Sequence, residues 1–456
     1  MTLQDRGSEK VHVDPAKTSA KLAPNLPRPD PGAMQIPIVR LALGDAEVEA
    51  AGRVIRSGWV AQGPEVAAFE REFAAAVGAP FAVAVSNCTT ALELCLRVAG
   101  VGTGDDVATV SHSFIATANA VVAVGARPIF VDVQPDTYSM DPTALARALT
   151  PRTRAILCVH QIGFPCDLPA ILAIAQTRGL PVIEDAACAI GSEISIEGAW
   201  QRIGRPHGRL ACFSFHPRKL ITTGDGGMIT TSDSALADRL RLLRQHAMSL
   251  TWDPQRVPSP PAMGSCEQSP PLPTRLPSTA RHESQHVTLE SFSEPAFNFR
   301  MTDLQAAVGR PQLARLSSII AERRALAARY AQALANHPLL APPIEPPWIR
   351  SNWQSYPVTL RPDGRMSQVA IMQFLIDRGV ASRRGIGNAH AEPAYTKCAW
   401  SCGQEPCDPA AHAQGHCLRL PVSERARDNT ILLPLFHGMS TAEQDYVVAN
   451  LRALPG

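Results

Sequence analysis

The chain has 456 residues, 45% of them hydrophobic, and a formal net charge of +2 at pH 7. That length holds one large globular unit or two domains around a sizeable core. Balanced charge gives no handle for nucleic acid or an anionic membrane, and neither is expected as a partner. No apolar stretch approaches the ~20 residues that a bilayer-spanning helix needs.

In chain order, residues 1–35 mix Lys, Asp, Pro and Ser without an apolar h-region, so they read as a disordered extension and not a signal peptide. From Phe81 onward, short apolar runs alternate with helical patterns. The runs are 81–85, 107–110, 128–131, 155–159, 181–183, 211–215 and 227–230, and the helical segments between them include 89–99, 116–124 and 168–178. Most runs are continuous, as strands buried on both faces of a mainly parallel sheet are. This alternation predicts an α/β domain of three layers, with a seven-stranded sheet, over residues 36–250. Ligands of such sheets sit beyond the carboxyl ends of the strands, where Ser86, Ser111, His160 and Asp185 fall.

Residues 251–280 hold eight prolines with many Ser and Arg, so 251–294 reads as an insertion or loop without a core of its own. Thr302-Asp-Leu-Gln305 is a capping box opening a helix, which Pro311 should break or kink before a second helix runs through Tyr330. Residues 295–456 comprise this linking helix and a smaller α+β domain, with a strand at 354–360 and helices at 367–378 and 441–454. Eleven cysteines are present, some inside strands, as Cys158 and Cys212 are. With no secretory signal they are expected to be reduced, and the cytoplasm is the expected compartment.

One pair of residues makes the sharpest chemical claim. Asp185 closes one apolar run, and Lys219 follows another in Phe213-Ser-Phe-His-Pro-Arg-Lys219. Pyridoxal phosphate (PLP) chemistry needs both groups: an amine to form a Schiff base with the aldehyde and a carboxylate to keep the pyridine nitrogen protonated. Ser86-Asn-Cys-Thr89 lies between a strand and a helix, where backbone amides can meet a phosphate. Phe114 could stack on a ring, Cys188 could lie over it, and Ser214 could reach the same phosphate. Taken singly, each has an ordinary reading as a helix cap, a core aromatic, a small buried thiol or a solvated loop residue. Their joint order along the sheet favours the cofactor.

Two further clusters lie near the C-terminus. Arg383-Arg384 suits a nucleotide diphosphate, since guanidinium forks match phosphate oxygens, though solvated surface charge fits equally. Cys398, Cys402, Cys407 and Cys417 are interspersed with His412 and His416. A zinc site wants two close-spaced ligand pairs. These spacings are irregular, so the cluster reads as loop cysteines and no metal is expected.

The carrying segments are Ser57-Gly-Trp-Val-Ala-Gln-Gly-Pro64, Ser86-Asn-Cys-Thr-Thr-Ala-Leu92, Phe130-Val-Asp-Val-Gln-Pro-Asp136, Glu184-Asp-Ala-Ala187, Phe213-Ser-Phe-His-Pro-Arg-Lys219, Thr223-Gly-Asp-Gly-Gly227 and Asn298-Phe-Arg-Met-Thr-Asp-Leu-Gln-Ala-Ala307. With them, residues 36–452 resemble the DegT/DnrJ/StrS family of sugar aminotransferases, the long insertion and some C-terminal stretches excepted. The resemblance implies an aspartate-aminotransferase-like enzyme of fold type I, active as a homodimer with PLP. It implies Lys219 as the Schiff-base lysine and Asp185 as the pyridinium partner. Cys88 and Thr89 amides, the Thr89 side chain and Ser214 would hold the phosphate, and Phe114 would stack on the ring. Asn298 would reach the phosphate of the neighbouring subunit, and His390 would stand near the sugar-nucleotide end of the cleft. The chain departs from the family in having Cys188 where Gln is common, Ala247 where Gly is typical, Pro311 within a helix, and a longer 251–294 segment.

The expected activity is transfer of an amino group, from glutamate, to a nucleotide-linked keto-deoxysugar in aminosugar, polysaccharide or secondary-metabolite biosynthesis. Lys219 would act as general base and acid, a role that asks for an amine tuned downward in pKa. The alternatives are a catalytically silent PLP-binding sensor, or a dehydratase relative. The second places His at the lysine position, so Lys219 argues against it.

Overall fold

In the computed structural model, residues 34–250, 290–362, 364–403, 407 and 409–455 are described. The expected extension, apart from Met34 and Gln35, and the proline-rich stretch 251–289 lie outside them. The first nine strands are β1 (Phe81–Val85), β2 (Asp106–Val110), β3 (Arg127–Val131), β4 (Thr153–Val159), β5 (Val182–Asp185), β6 (Glu193–Ile196), β7 (Ala199–Arg202), β8 (Leu210–Ser214) and β9 (Gly227–Thr231). Seven of them form one sheet in the order β1-β9-β8-β5-β4-β2-β3. Strands β3, β2, β4, β5 and β8 are mutually parallel, and β9 is antiparallel to both β8 and β1. All seven apolar runs are strands of this sheet. Their continuity has the expected cause: in β1, Ala82 and Ala84 enter the core on one face, and Val83 and Val85 the core on the other.

The helices of this part are α1 (Asp45–Ser57), α2 (Pro64–Val77), α3 (Cys88–Val98), α4 (Ala116–Ala123), α5 (Pro142–Ala148), α6 (Leu168–Arg178) and α7 (Ser234–Leu243). Helix α2 opens on Pro64 and stops at Gly78, whose φ of 78° places it in the left-handed region that costs glycine nothing. After α7, β10 (Met248–Leu250) and β11 (Glu290–Phe292) pair antiparallel, so the ends of the proline-rich stretch are held side by side. Ala247, beside this hairpin, has φ 52°, a left-handed conformation that glycine would adopt with less strain.

Helices α8 (Asp303–Ala314) and α9 (Leu316–Leu334) follow, and α8 carries the expected Thr302/Gln305 capping box. The expected break at Pro311 is not there. Pro311 sits inside α8, and the turn falls at Arg315. Proline costs a ladder hydrogen bond, and the Gln312 side chain adds one locally by donating to the Val308 carbonyl at 2.7 Å. Helix α9 links two cores, with Leu316 and Ile319 in the first and Leu326, Tyr330 and Leu334 in the second.

The second core belongs to a sheet in the order β12-β14-β16-β15, joining β12 (Leu340–Ala341), β14 (Tyr356–Leu360), β15 (Arg383–Arg384) and β16 (Thr430–Leu433), while β13 (Ile349–Arg350) pairs with β6 instead. The sequence offers only β14 as a strand, because its partners are two to four residues long. Helices α10 (Gln368–Ile376), α11 (Pro409–Ala413), α12 (Pro421–Asn429) and α13 (Thr441–Arg452) complete it. Ile36 pairs with Val380 and is buried in this second core, so the chain enters through the smaller unit rather than opening the larger one at residue 36. Among the described residues, no helix is long and apolar enough to cross a membrane.

Candidate active site

The parallel strands deliver their carboxyl ends to one edge of the sheet, and antiparallel β9 starts there. Gly227, its first residue, stands opposite both Val85 of β1 and Ser214 of β8. A Cβ on Gly227 would lie 2.6 Å from the Asn87 carbonyl carbon and 2.9 Å from the Cys88 nitrogen, so only glycine lets β9 come this close to the start of α3. Asn87 caps α3 by accepting from the Thr90 amide at 2.9 Å. Helix geometry gives the Cys88 and Thr89 amides no partner within the helix, and they lie at its positive end. Cys88, exposed Thr89 and half-buried Ser214 are thus gathered as expected for an anion site.

The other end of the site is built on β5 and the chain after β8. Asp185, the last residue of β5, is 5% exposed. Its Oδ2 accepts from the Thr117 hydroxyl at 2.8 Å, and its Oδ1 from the Ala187 amide at 3.2 Å. Burial pushes the carboxyl above its ordinary range, against those hydrogen bonds and the nearby Lys219 charge. Half-buried Lys219 donates from Nζ to Cys188 Sγ at 3.0 Å. Burial pushes its amine down, but Cys188 and Asp185 outweigh this and leave it raised. The downward tuning expected of a lysine base is therefore not supplied by these side chains. Behind β5, His160 Nδ1 accepts from the Cys166 amide at 3.0 Å, and its Nε2 meets buried Glu184 at 3.0 Å. A ring nitrogen that accepts a hydrogen bond carries no proton, so the ring is the Nε2–H tautomer donating to Glu184.

This donor set fits PLP: an amine, a carboxylate screened from water, and an anion site at a helix N-terminus. Phe114 is 69% exposed beside α4, free to cover a ring. Asn298 is exposed on the strip that pairs with Gln245, near exposed Phe297 and Phe292, and the next residue, Phe299, accepts from the Ser86 amide at 2.8 Å. Arg383 and Arg384 are exposed on β15. Arg383 acts electrostatically on Arg218, the neighbour of Lys219 in sequence, so it stands on the same side of the site.

His390 departs from expectation. It is fully buried, with Nδ1 at 2.6 Å from the Ser111 hydroxyl and Nε2 at 3.3 Å from Glu424. Burial lowers its pKa to about 4. Both ring nitrogens are engaged, so His390 ties the C-terminal segment to the residue that follows β2. Sequence reasoning missed Thr117 and Arg218. Thr117 lies one helical turn after Ser113, whose hydroxyl it meets at 2.7 Å, and that i,i+4 pair of hydroxyls was the available signal.

Residues 42–452 match the DegT/DnrJ/EryC1/StrS aminotransferase family. The spore coat polysaccharide biosynthesis protein SpsC of Bacillus subtilis (strain 168) is 34% identical over 417 residues, which span 90% of this chain and 94% of that protein. The crystal structure of the aminotransferase TlmJ from Streptoalloteichus hindustanus superposes with a TM-score of 0.74 at 31% identity, covering 92% of this chain and 98% of that one. S. venezuelae DesV, solved in complex with a ketimine intermediate, gives 0.73 at 31% identity with the same coverage. With a lysine, a buried aspartate and an anion cradle at one sheet edge, this chain belongs to the DegT/DnrJ/EryC1/StrS family and is a PLP-dependent aminotransferase.

Proposed function

We propose that the enzyme transfers an amino group from glutamate to a keto group on a nucleotide-linked sugar, and that it works in the cytoplasm as a homodimer. Bound PLP supplies an electrophilic aldehyde and a ring that accepts electrons. Asp185 holds the ring nitrogen protonated, with Thr117 fixing the carboxylate rotamer. Lys219 Nζ takes the proton from the donor's α-carbon and later returns one to the former keto carbon. The Cys88 and Thr89 amides, the Thr89 side chain and Ser214 would hold the phosphate, and Cys188, bonded to Lys219, would stand beside the ring. Asn298 reaches the partner's phosphate. Its exposure among Phe292 and Phe297 supports this reading, since such apolar surface calls for cover.

The single observation that carries the substrate class is the pair of guanidinium groups, Arg218 and Arg383, beside Lys219, while the neighbouring Arg384 turns to Glu392 at 3.8 Å. Two cations beside a carbon-centred reaction suit an anionic handle on the substrate, and a diphosphate supplies one. The test offers a panel of nucleotide-linked keto-sugars and the matching free keto-sugars to the aminated enzyme, reading loss of its absorbance. At least one nucleotide-linked sugar should react about 100-fold faster than its free counterpart, roughly 2.7 kcal/mol. Equal rates for free keto-sugars or simple keto acids would overturn the substrate class.

A further inference from the structure

The segment between His390 and α12 carries a second constellation, unrelated to transamination. Cys402, Cys407, His412 and Cys417 recur every five residues once Cys398 and His416 are set aside. The fold brings one ligand atom of each within 4.8 Å of all the others. The Cys407 and Cys417 sulfurs stand 3.5 Å apart, and none of the described cysteines is in a disulfide. Cys398 is exposed and outside the group, while His416 turns to Glu424 at 3.3 Å.

Two thiolates on one tetrahedral zinc, each about 2.3 Å from the metal, lie about 3.8 Å apart. The cluster already approaches that spacing. Three sulfurs and an imidazole are soft ligands that suit zinc over calcium or magnesium. A disulfide could join one pair only and would not account for the convergence of the other two ligands. The segment also has little else to hold it. Among its described residues, regular structure is limited to a single helical turn at Ala389–Ala391, the short helix α11 and one bridge from Ser401 to Ile129 on edge strand β3, where the Phe130 amide donates to the Ser401 carbonyl at 2.7 Å. Its apolar cluster is small, formed by Cys402, Cys417, Tyr395, Leu420 and a few neighbours. A loop with so few apolar contacts is where a metal crosslink adds most.

We propose that Cys402, Cys407, His412 and Cys417 bind one structural zinc ion that fixes the segment 389–420 to the edge of the large sheet. Four protein ligands fill the tetrahedron and leave no position for a reacting water. The three thiols release three protons to solvent on binding, and the complex carries a net charge of about −1. The Trp400 ring stacks on His412 at 3.9 Å and orients the imidazole. The zinc reaches the active site as a brace. The Cys417 amide donates to Glu424 at 2.7 Å, and Glu424 meets His390, which is bonded to Ser111. Tyr395 donates to Asn119 of α4, the helix that carries Thr117 and hence orients Asp185. The proposal stands independently of the sugar substrate.

The test measures metal in the untagged, full-length holoenzyme by mass spectrometry. About one zinc per chain is expected, released by a thiol-directed mercurial with the loss of three titratable thiols. Cobalt in its place should give red ligand-field bands of tetrahedral thiolate type, away from the PLP absorbance. Cys407→Ser should cut zinc content at least tenfold, and Cys398→Ser should leave it unchanged. If Cys407→Ser does not fold, the mercurial titration and the cobalt spectrum of the wild type still decide. Reduced protein that holds less than about a tenth of an equivalent after incubation with zinc would overturn the proposal. So would a Cys407–Cys417 disulfide in the protein as isolated, or zinc retained in full by Cys407→Ser.

Discussion

At the scale of single residues, the site combines an acid that burial disfavours with an amine that its neighbours favour. Asp185 is raised by burial, so the folded chain keeps a proton on it at a pH where the unfolded chain has lost it. Stability of the cofactor-free protein should therefore fall as pH rises through the interval just above the ordinary aspartate pKa. Asp185→Asn removes that slope, and thermal melts across pH should show a higher melting temperature at neutral pH. The same variant should lose at least about 100-fold in transamination, roughly 2.7 kcal/mol. A melting temperature below wild type would contradict the burial argument. Cys188 acts in the opposite sense on Lys219, holding its amine protonated. Cys188→Ala should shift the pH profile of PLP uptake by the cofactor-free protein to lower pH, because the free amine appears sooner. An unmoved profile would show that Cys188 does not set the lysine pKa.

At the scale of elements, what decides the site is how closely β9 approaches α3. Gly227→Ala puts a methyl 2.6 Å from the Asn87 backbone, with no flexible side chain there to yield. The strand must move off the helix start, and PLP affinity should weaken at least tenfold, about 1.4 kcal/mol, in a spectroscopic titration. Wild-type affinity would mean that the cradle tolerates the shift. Elements also mark how far the sequence was legible. The seven strands of the large sheet were readable because they are buried on both faces and hence continuously apolar. The short strands β12, β15 and β16 were not, since pairing rather than pattern makes them strands. Lys219 and Asp185 were legible by type and order. The burial of His390 was not, because an exposed histidine and one bonded at both nitrogens look alike in sequence. The convergence of the cysteine cluster was not legible from spacing, because Cys398, which the fold leaves outside, interrupts the five-residue repeat.

At the scale of the whole molecule, the proposed reach of exposed Asn298 into a partner's site would make the dimer part of the chemistry. A mixture of Lys219→Ala and Asn298→Ala chains is the test. If each site draws its lysine from one subunit and Asn298 from the other, hybrids hold one intact site. Activity after subunit exchange should then rise to about a quarter of wild type from two poorly active parents. No recovery, with hybrids shown to form, would place Asn298 outside the partner's site.

The central claim is that Lys219 carries the cofactor, and the chain makes it easy to test. It has five lysines, Lys10, Lys17, Lys21, Lys219 and Lys397, and of the two among the described residues, Lys219 and Lys397, Lys219 is the one that lies near Asp185. Borohydride reduction of the holoenzyme followed by peptide mass spectrometry would read the attachment site directly. The account predicts a pyridoxyl mass on the peptide containing Lys219 and on no other. A label on Lys397 or on an N-terminal lysine, or a loaded enzyme without any label, would contradict it.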